Sequence, residues 1–291
     1  MEEDLNMVDA PKLMLDGEHR VLYELFEEEL RALVTVEQFE AMSKEYTAGV
    51  SAFHLVLDNT MNKLRMIHWM DDSGTKGIQA MIDEAGMIVG FMLSPLERFS
   101  ESDSRYSATT FKLPFKGKWY VFWGGEHVMD NYHYVEASQR YAIDVVRTEE
   151  GMTYHGDPDL NESYFAFGEE ILAGASGKVI AIENNIADNV PVGVVNETEP
   201  AGNYVIIDHG SHEYSLYAHL KLGSVCVLEG TDVESGDRIG LCGNSGNSSE
   251  AHLHFQVSDH PDLFRDGTKS LNINWLGDVK VRKGEIVDGG K

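Results

Sequence analysis

Two histidines stand two residues apart in "GNSSEAHLHFQV", residues 246–257, within a stretch that reads as a β-strand. Alternate side chains of a strand share a face, so His252 and His254 project the same way from backbone anchors roughly 6.5–7 Å apart. Two imidazoles so placed can ligate a metal, act as one ligand and one base, or lie on a surface. Two further segments carry groups that would complete a site: "NYHYVEASQRYAIDVV" holds His133 and Asp144, and "NYVIIDHGSHEYSLYAHL" holds Asp208, His209, His212 and His219. Imidazole nitrogen and carboxylate oxygen are zinc donors, and a catalytic zinc keeps three protein ligands with one open position. There it lowers the pKa of a bound water toward neutrality. Neighbouring imidazoles can then take a proton and stabilise a developing oxyanion.

Positioning such groups requires a folded scaffold, and the chain changes character near residue 100. Before it, "GEHRVLYELFEEELRALV" places Val21, Leu22, Leu25, Phe26, Leu30 and Leu33 at helical spacing. Thr35 and Gln38 have capping-box spacing at a second helix start. After Gly49 extended segments take over, the last two joined by "DEAG" as a hairpin turn. Helices followed by a meander imply a small α+β domain. The stretch "SPLERFSESDSRYSATT" is rich in Ser, Asp and Glu and reads as a linker. From "FKLPFKGKWYVFWGG" onward short strands alternate with Gly, Asn and Asp, the pattern of a β-rich domain. The expected organisation is α+β: an N-terminal accessory domain over 1–97, a linker over 98–111, and a β-rich domain over 112–291.

Composition narrows the partners. A net charge of −26 opposes binding to nucleic acid, whose phosphates it would repel. No apolar run has the length of a membrane span, and the acidic start "MEEDLNMVDAPKL" lacks the basic region of an export signal, so the chain as written reads as soluble and without a leader. Cys226 and Cys242 make no disulfide framework and read as small buried apolar residues. His19, His54 and His68 are scattered and read as structural or surface histidines.

The segments "GEEILAGASGKVIAI", "YAHL" and "GLCGNSGNSSEAHLHFQV" occur in an order and spacing that resembles the lysostaphin-type zinc metallopeptidases, peptidase family M23, across roughly residues 117–258. The resemblance implies an antiparallel β-sheet with a groove, one zinc ion, and hydrolysis of peptide bonds, with a peptide or peptidoglycan as substrate. It also implies roles. His254 corresponds to a zinc ligand and Asp144 to the aspartate ligand, while His252 and His219 correspond to the two catalytic histidines. The first domain, mainly through "GIQAMIDEAGMIVGFMLSP", resembles a small domain of unknown function with half of a nuclear-transport-factor-like fold.

At one position the sequence departs from the family. The family's first ligand is a histidine four residues before the aspartate, where this chain has Arg140, and a guanidinium has no lone pair to offer a metal. In a subgroup with "QRYA" before the aspartate, a histidine in an upstream "NYH" can take the vacant place; here that residue is His133. The alternative is a domain that keeps the fold, has lost the metal, and binds a peptide or regulates a partner hydrolase. A third reading is a structural metal site closed by a fourth ligand such as His209, although His209 ends the apolar strand in "IIDHG" and reads better as capping a turn or orienting a neighbour. His127, His155, His212 and His260 fall in expected loops and are assigned no role. The acidic "HGDPDLNES" lacks the glycine and terminal glutamate of a calcium loop. Trp119, Tyr120 and Trp123 are expected in the core or in a groove wall.

Overall fold

The computed structural model describes residues 9–262 and 265–290, and the chain divides into two compact units, Met1–Glu97 and Arg98–Lys291. The first unit opens with four helices: α1 (Ala10–Leu15), α2 (His19–Glu24), α3 (Glu28–Leu33) and α4 (Val36–Thr47). An antiparallel meander follows, made of β1 (Phe53–Met61), β2 (Leu64–Asp71), β3 (Lys76–Ile82) and β4 (Ile88–Pro95). The capping box forms as its spacing predicts: Gln38 N–H donates to the Thr35 hydroxyl while the Gln38 side chain accepts from Thr35 N–H. The turn "DEAG" closes on Asp83, whose Oδ1 accepts from the N–H groups of Ala85 and Met87.

The stretch from Gly17 to Val34 differs from the single helix its periodicity predicts. It breaks between α2 and α3, where Ile88 N–H donates to Leu25 O and Glu27 N–H donates to Ile88 O. The break lets Phe26, 1% exposed, pack on Phe39 and Phe91 with ring centroids 4.9 and 5.3 Å away. Burying that ring, worth roughly 2 kcal/mol or more, outweighs the few helical hydrogen bonds given up.

The second unit begins with residues 98–111. Where the sequence suggests a linker, the chain forms a helical turn, α5 (Ser100–Asp103), and a strand, β5 (Tyr106–Phe111), that ends on the fully buried Phe111. Composition misleads here because most of the polar side chains face outward or form local hydrogen bonds while Phe99 and Phe111 anchor the segment.

The remaining strands are β6 (Lys118–Trp123), β7 (Ile143–Val146), β8 (Glu170–Leu172), β9 (Gly177–Glu183), β10 (Asn203–Asp208), β11 (Tyr214–Leu220), β12 (Asp232–Val233), β13 (Arg238–Leu241), β14 (Leu253–Ser258), β15 (Asn272–Trp275) and β16 (Ile286–Asp288). Eight of them form an antiparallel sheet in the order β12-β9-β10-β11-β14-β7-β6-β16. Two small pairs, β13 with β8 and β15 parallel to β5, complete the unit. Alternate residues of the central strands fill the core: Val205 and Ile207, Tyr217, Leu253, Phe255 and Val257, Ile143 and Val145. The opposite residues of β7 and β14 carry the chemistry, which is why those strands contain Asp144 and His254 between apolar neighbours. Among the described residues no helix is long and apolar enough to cross a membrane. Cys242 is buried as expected, whereas Cys226 is exposed with its Sγ on Arg238 O.

Candidate metal centre

The central strand β14 places its neighbours' functional groups in register. His254 lies directly opposite Asp144 of β7 on one side and Ala218 of β11 on the other. His254 Nδ1 is 2.8 Å from Asp144 Oδ1, and His133 Nε2 is 3.1 Å from Asp144 Oδ2. Donor atoms of His133, Asp144 and His254 all lie within 4.8 Å of one another, and all three residues are buried. His133 comes from the 3₁₀ turn Tyr132–Val135, whose backbone begins at the Asn131 side chain.

His219 and His252 stand beside this trio. His252 immediately precedes β14 and brings Nε2 to 3.9 Å from Asp144 Oδ1. The rings of His219 and His252 are 4.7 Å apart. His219 sits at a bulge near the end of β11 with φ +60°, a left-handed backbone that a non-glycine residue adopts only when its surroundings impose it. The constraint is visible: its N–H donates to Ala201 O and its Nδ1 lies 2.9 Å from Ser245 O. Gly202 and Gly246 permit that approach, since a Cβ on Gly246 would meet Gly202 N at 2.4 Å.

Carbonyl oxygens fix the tautomers of both. A carbonyl only accepts, so His219 Nδ1 carries the proton it gives to Ser245 O. His252 Nδ1 likewise gives its proton to Glu250 O at 2.9 Å. Each neutral ring is left with an unprotonated Nε2. Burial, reinforced by neighbouring histidines, holds His219 well below the usual imidazole range; burial also lowers His252, against the pull of Asp144. Both therefore remain neutral at neutral pH.

The trio has the opposite electrostatics. Burial alone would raise Asp144, but His133 and His254 facing it hold the carboxyl well below its usual range. Burial opposes charge on His254, yet the hydrogen bond and attraction of Asp144 raise its pKa overall. His254 Nε2 meets Gln256 Oε1 at 3.0 Å, and the Gln256 amide donates to Ser138 O at 2.9 Å. The amide's orientation is thereby set, so His254 Nε2 donates to Gln256 Oε1, while Nδ1 donates to the ionised Asp144 in the metal-free chain and is the nitrogen that would lose its proton to bind a metal. Gln256 was not singled out in the sequence. Its position two residues after His254, on the same strand face, was the available signal.

The other sequence candidates lie apart from the trio. Arg140 donates from Nε to Tyr134 O at 2.9 Å and stacks its guanidinium 3.6 Å from the Phe99 ring centroid. His209 is held between Ser176 O and Ser215 Oγ, with Phe111 against its ring, so it supplies no fourth donor. His127 is buried against Asp130 and Arg282, and His212 forms the exposed β10–β11 turn. Trp119 and Tyr120 are core residues; Trp123 packs edge-on against Tyr132, whose ring lies 3.9 Å from that of His133.

One half-buried acid, whose backbone carbonyl holds His252, borders the site. Burial pushes the Glu250 carboxyl up to about 7, with the Thr153 hydroxyl opposing. Between about pH 4.5 and 7 the folded chain keeps a proton that the unfolded chain releases, so this residue costs stability as pH rises. Glu250→Gln, which keeps the Thr153 bond, is expected to raise the melting temperature by roughly 2–5 °C at pH 8 and to leave it unchanged at pH 4. Melting curves at the two pH values check this.

Residues 163–264 match the family model of peptidase family M23. His219, His252 and His254 fall inside that match, while His133 and Asp144 precede it. A peptidoglycan DD-endopeptidase, ShyA, of Vibrio cholerae is 44% identical over 57 residues, 20% of this chain and 13% of its own. An endolysin of Staphylococcus phage 2638A is 32% identical over 120 residues, 36% of this chain and 24% of its own. This chain thus spans an eighth to a quarter of those relatives. A zinc-containing peptidase from Vibrio cholerae superposes with a TM-score of 0.28 at 18% identity, covering 66% of this chain and 46% of that one.

Proposed function

We propose that this chain, whose C-terminal unit carries a lysostaphin-type M23 peptidase domain, is a zinc-dependent endopeptidase acting on peptide bonds of peptidoglycan cross-bridges. The observation that carries this reading is the buried convergence of two imidazoles and one carboxylate, with two neutral imidazoles alongside. The donor set fits zinc: borderline nitrogen ligands and one hard oxygen, three in number, with His254 oriented by Gln256. His133, Asp144 and His254 would hold the ion. When bound, it supplies Lewis-acid polarisation and a water acidic enough to attack at neutral pH.

The chain's own residues supply the rest. His252 Nε2, unprotonated and 3.9 Å from Asp144 Oδ1, can accept the proton that the attacking water gives up. His219 Nε2 can take or return a proton at the scissile group as the tetrahedral centre forms and collapses. Asp144 stays ionised throughout, because its two imidazole neighbours favour the charged form. The non-catalytic peptide-binding reading rests on Arg140, and its guanidinium is engaged with Phe99 and Tyr134 away from the donors, which favours the catalytic one. The choice of peptidoglycan follows the name of the relative ShyA.

Purified, unchelated protein is expected to contain close to one zinc per chain by elemental analysis and to release new amino termini from cross-linked peptidoglycan. Chelation should stop the release and added zinc restore it. Metal-free protein that takes up no added zinc would end this reading.

A further inference from the structure

The stretch expected to be a linker and the arginine that stands in a ligand's place meet at one spot. Phe99 lies under the Arg140 guanidinium, and its N–H donates to Tyr134 Oη at 3.1 Å. Tyr134 Oη donates to Asp103 Oδ1 at 2.9 Å, and Tyr141 Oη donates to the same atom at 2.8 Å. Arg140 Nε reaches Tyr134 O. On the other side of His133, Asn131 accepts the His133 N–H on Oδ1 and donates from Nδ2 to Arg140 O and Ala142 O. His133 therefore lies between two residues that are each tied down twice or more.

We propose that Phe99, Asp103 and Arg140 form a clamp on Tyr134 that positions His133 for metal binding, with Arg140 a positioning residue where the family has a ligand. This rests on the reading of His133 as a ligand. A four-residue 3₁₀ turn has little rigidity of its own. A ligand on a loose turn loses conformational freedom when it binds, and that loss weakens binding. Arg140 is 7% exposed, and a guanidinium buried to that degree needs its partners satisfied. It finds them in the Tyr134 carbonyl and the Phe99 ring, a planar arrangement that lysine cannot copy. Asp103 completes the clamp by holding the hydroxyls of Tyr134 and Tyr141 together. The residue four before the aspartate thus keeps a part in the site, exchanged from donating a lone pair to fixing the turn that donates one.

The test is zinc affinity of the full chain, measured by competition with a chromophoric chelator, for Phe99→Leu, Asp103→Asn and Arg140→Lys. Each is made alone and together with His133→Ala, whose remaining donors Asp144 and His254 lose zinc on purification but still bind added zinc weakly enough to titrate, and melting of the metal-free forms reports folding. Each single change is expected to weaken zinc binding roughly 10–100-fold. None should weaken it further once His133 is gone, because the clamp acts only through that ligand. Should Arg140→Lys not fold, Phe99→Leu and Asp103→Asn carry the same comparison. Unchanged affinity in the folded variants of a zinc-binding wild type overturns the clamp and leaves the proposed function standing. Equal losses with and without His133 overturn it too, since the effect would then be on the fold at large. A wild type that binds no zinc overturns both.

Discussion

Replacing His133 with alanine is expected to strip the purified protein of zinc and to lower turnover by roughly three to four orders of magnitude. His254→Ala should do the same. The size follows from what the ion supplies: several kcal/mol of transition-state stabilisation, at 1.4 kcal/mol per factor of ten. The sharper consequence lies in the comparison between the two variants. His254 sits in the sheet, opposite Asp144 and held by Gln256. His133 arrives from a turn outside any strand, so its removal leaves the sheet and the other donors in place. Loss of zinc from a His133→Ala variant whose metal-free form still unfolds in one cooperative transition, somewhat lowered because Asp144 loses an imidazole partner, would identify a ligand. Zinc retained near one per chain would show that the ion is held without His133, and Asp144 would then need a different third partner. Elemental analysis with a peptidoglycan amine-release assay distinguishes these outcomes.

The strand that carries the site is legible in the sequence because its pattern is local. Alternation in "AHLHFQV" places His252, His254 and Gln256 on one face and Leu253, Phe255 and Val257 in the core. Local chemistry also reveals the Thr35 capping box and the turn at Asp83. What the sequence hides is nonlocal. Nothing near Phe26 shows that its backbone will pair with Ile88 and break a helix. Nothing in "ERFSESDSR" shows that Phe99 and Asp103 meet Arg140, Tyr134 and Tyr141. The linker reading failed for that reason: polar composition records what faces solvent, and the anchors are a minority of the segment. His209, which the structural-site alternative offered as a fourth ligand, has its ring committed to Ser176 O and Ser215 Oγ, partners that nothing local in "IIDHG" shows. The carbonyls of Ser245 and Glu250, which set the tautomers of His219 and His252, carry no side-chain signature at all.

Those two carbonyls lead to the second large effect. His219→Ala is expected to leave zinc content near wild type and to lower kcat roughly 10²–10⁴-fold, the usual contribution of a well-placed acid–base group. Metal retention follows from geometry: His219 is bound through Nδ1 to Ser245 O and is not one of the three convergent donors. Loss of turnover follows from its state. Burial keeps the imidazole neutral, the Ser245 carbonyl keeps the proton on Nδ1, and Nε2 is free to exchange a proton with the reacting group. The strained backbone at this residue, φ +60°, is consistent with a position fixed by function, since strain of that kind costs of order 1–3 kcal/mol. Relief of that strain is not expected from alanine, which also disfavours a left-handed backbone. His219→Gln separates the roles further. A glutamine can donate or accept a hydrogen bond but transfers no proton at neutral pH, so it should keep KM near wild type while kcat stays low. If His219→Gln retained full kcat, proton transfer at this position would not limit turnover, and the proton would be assigned to His252.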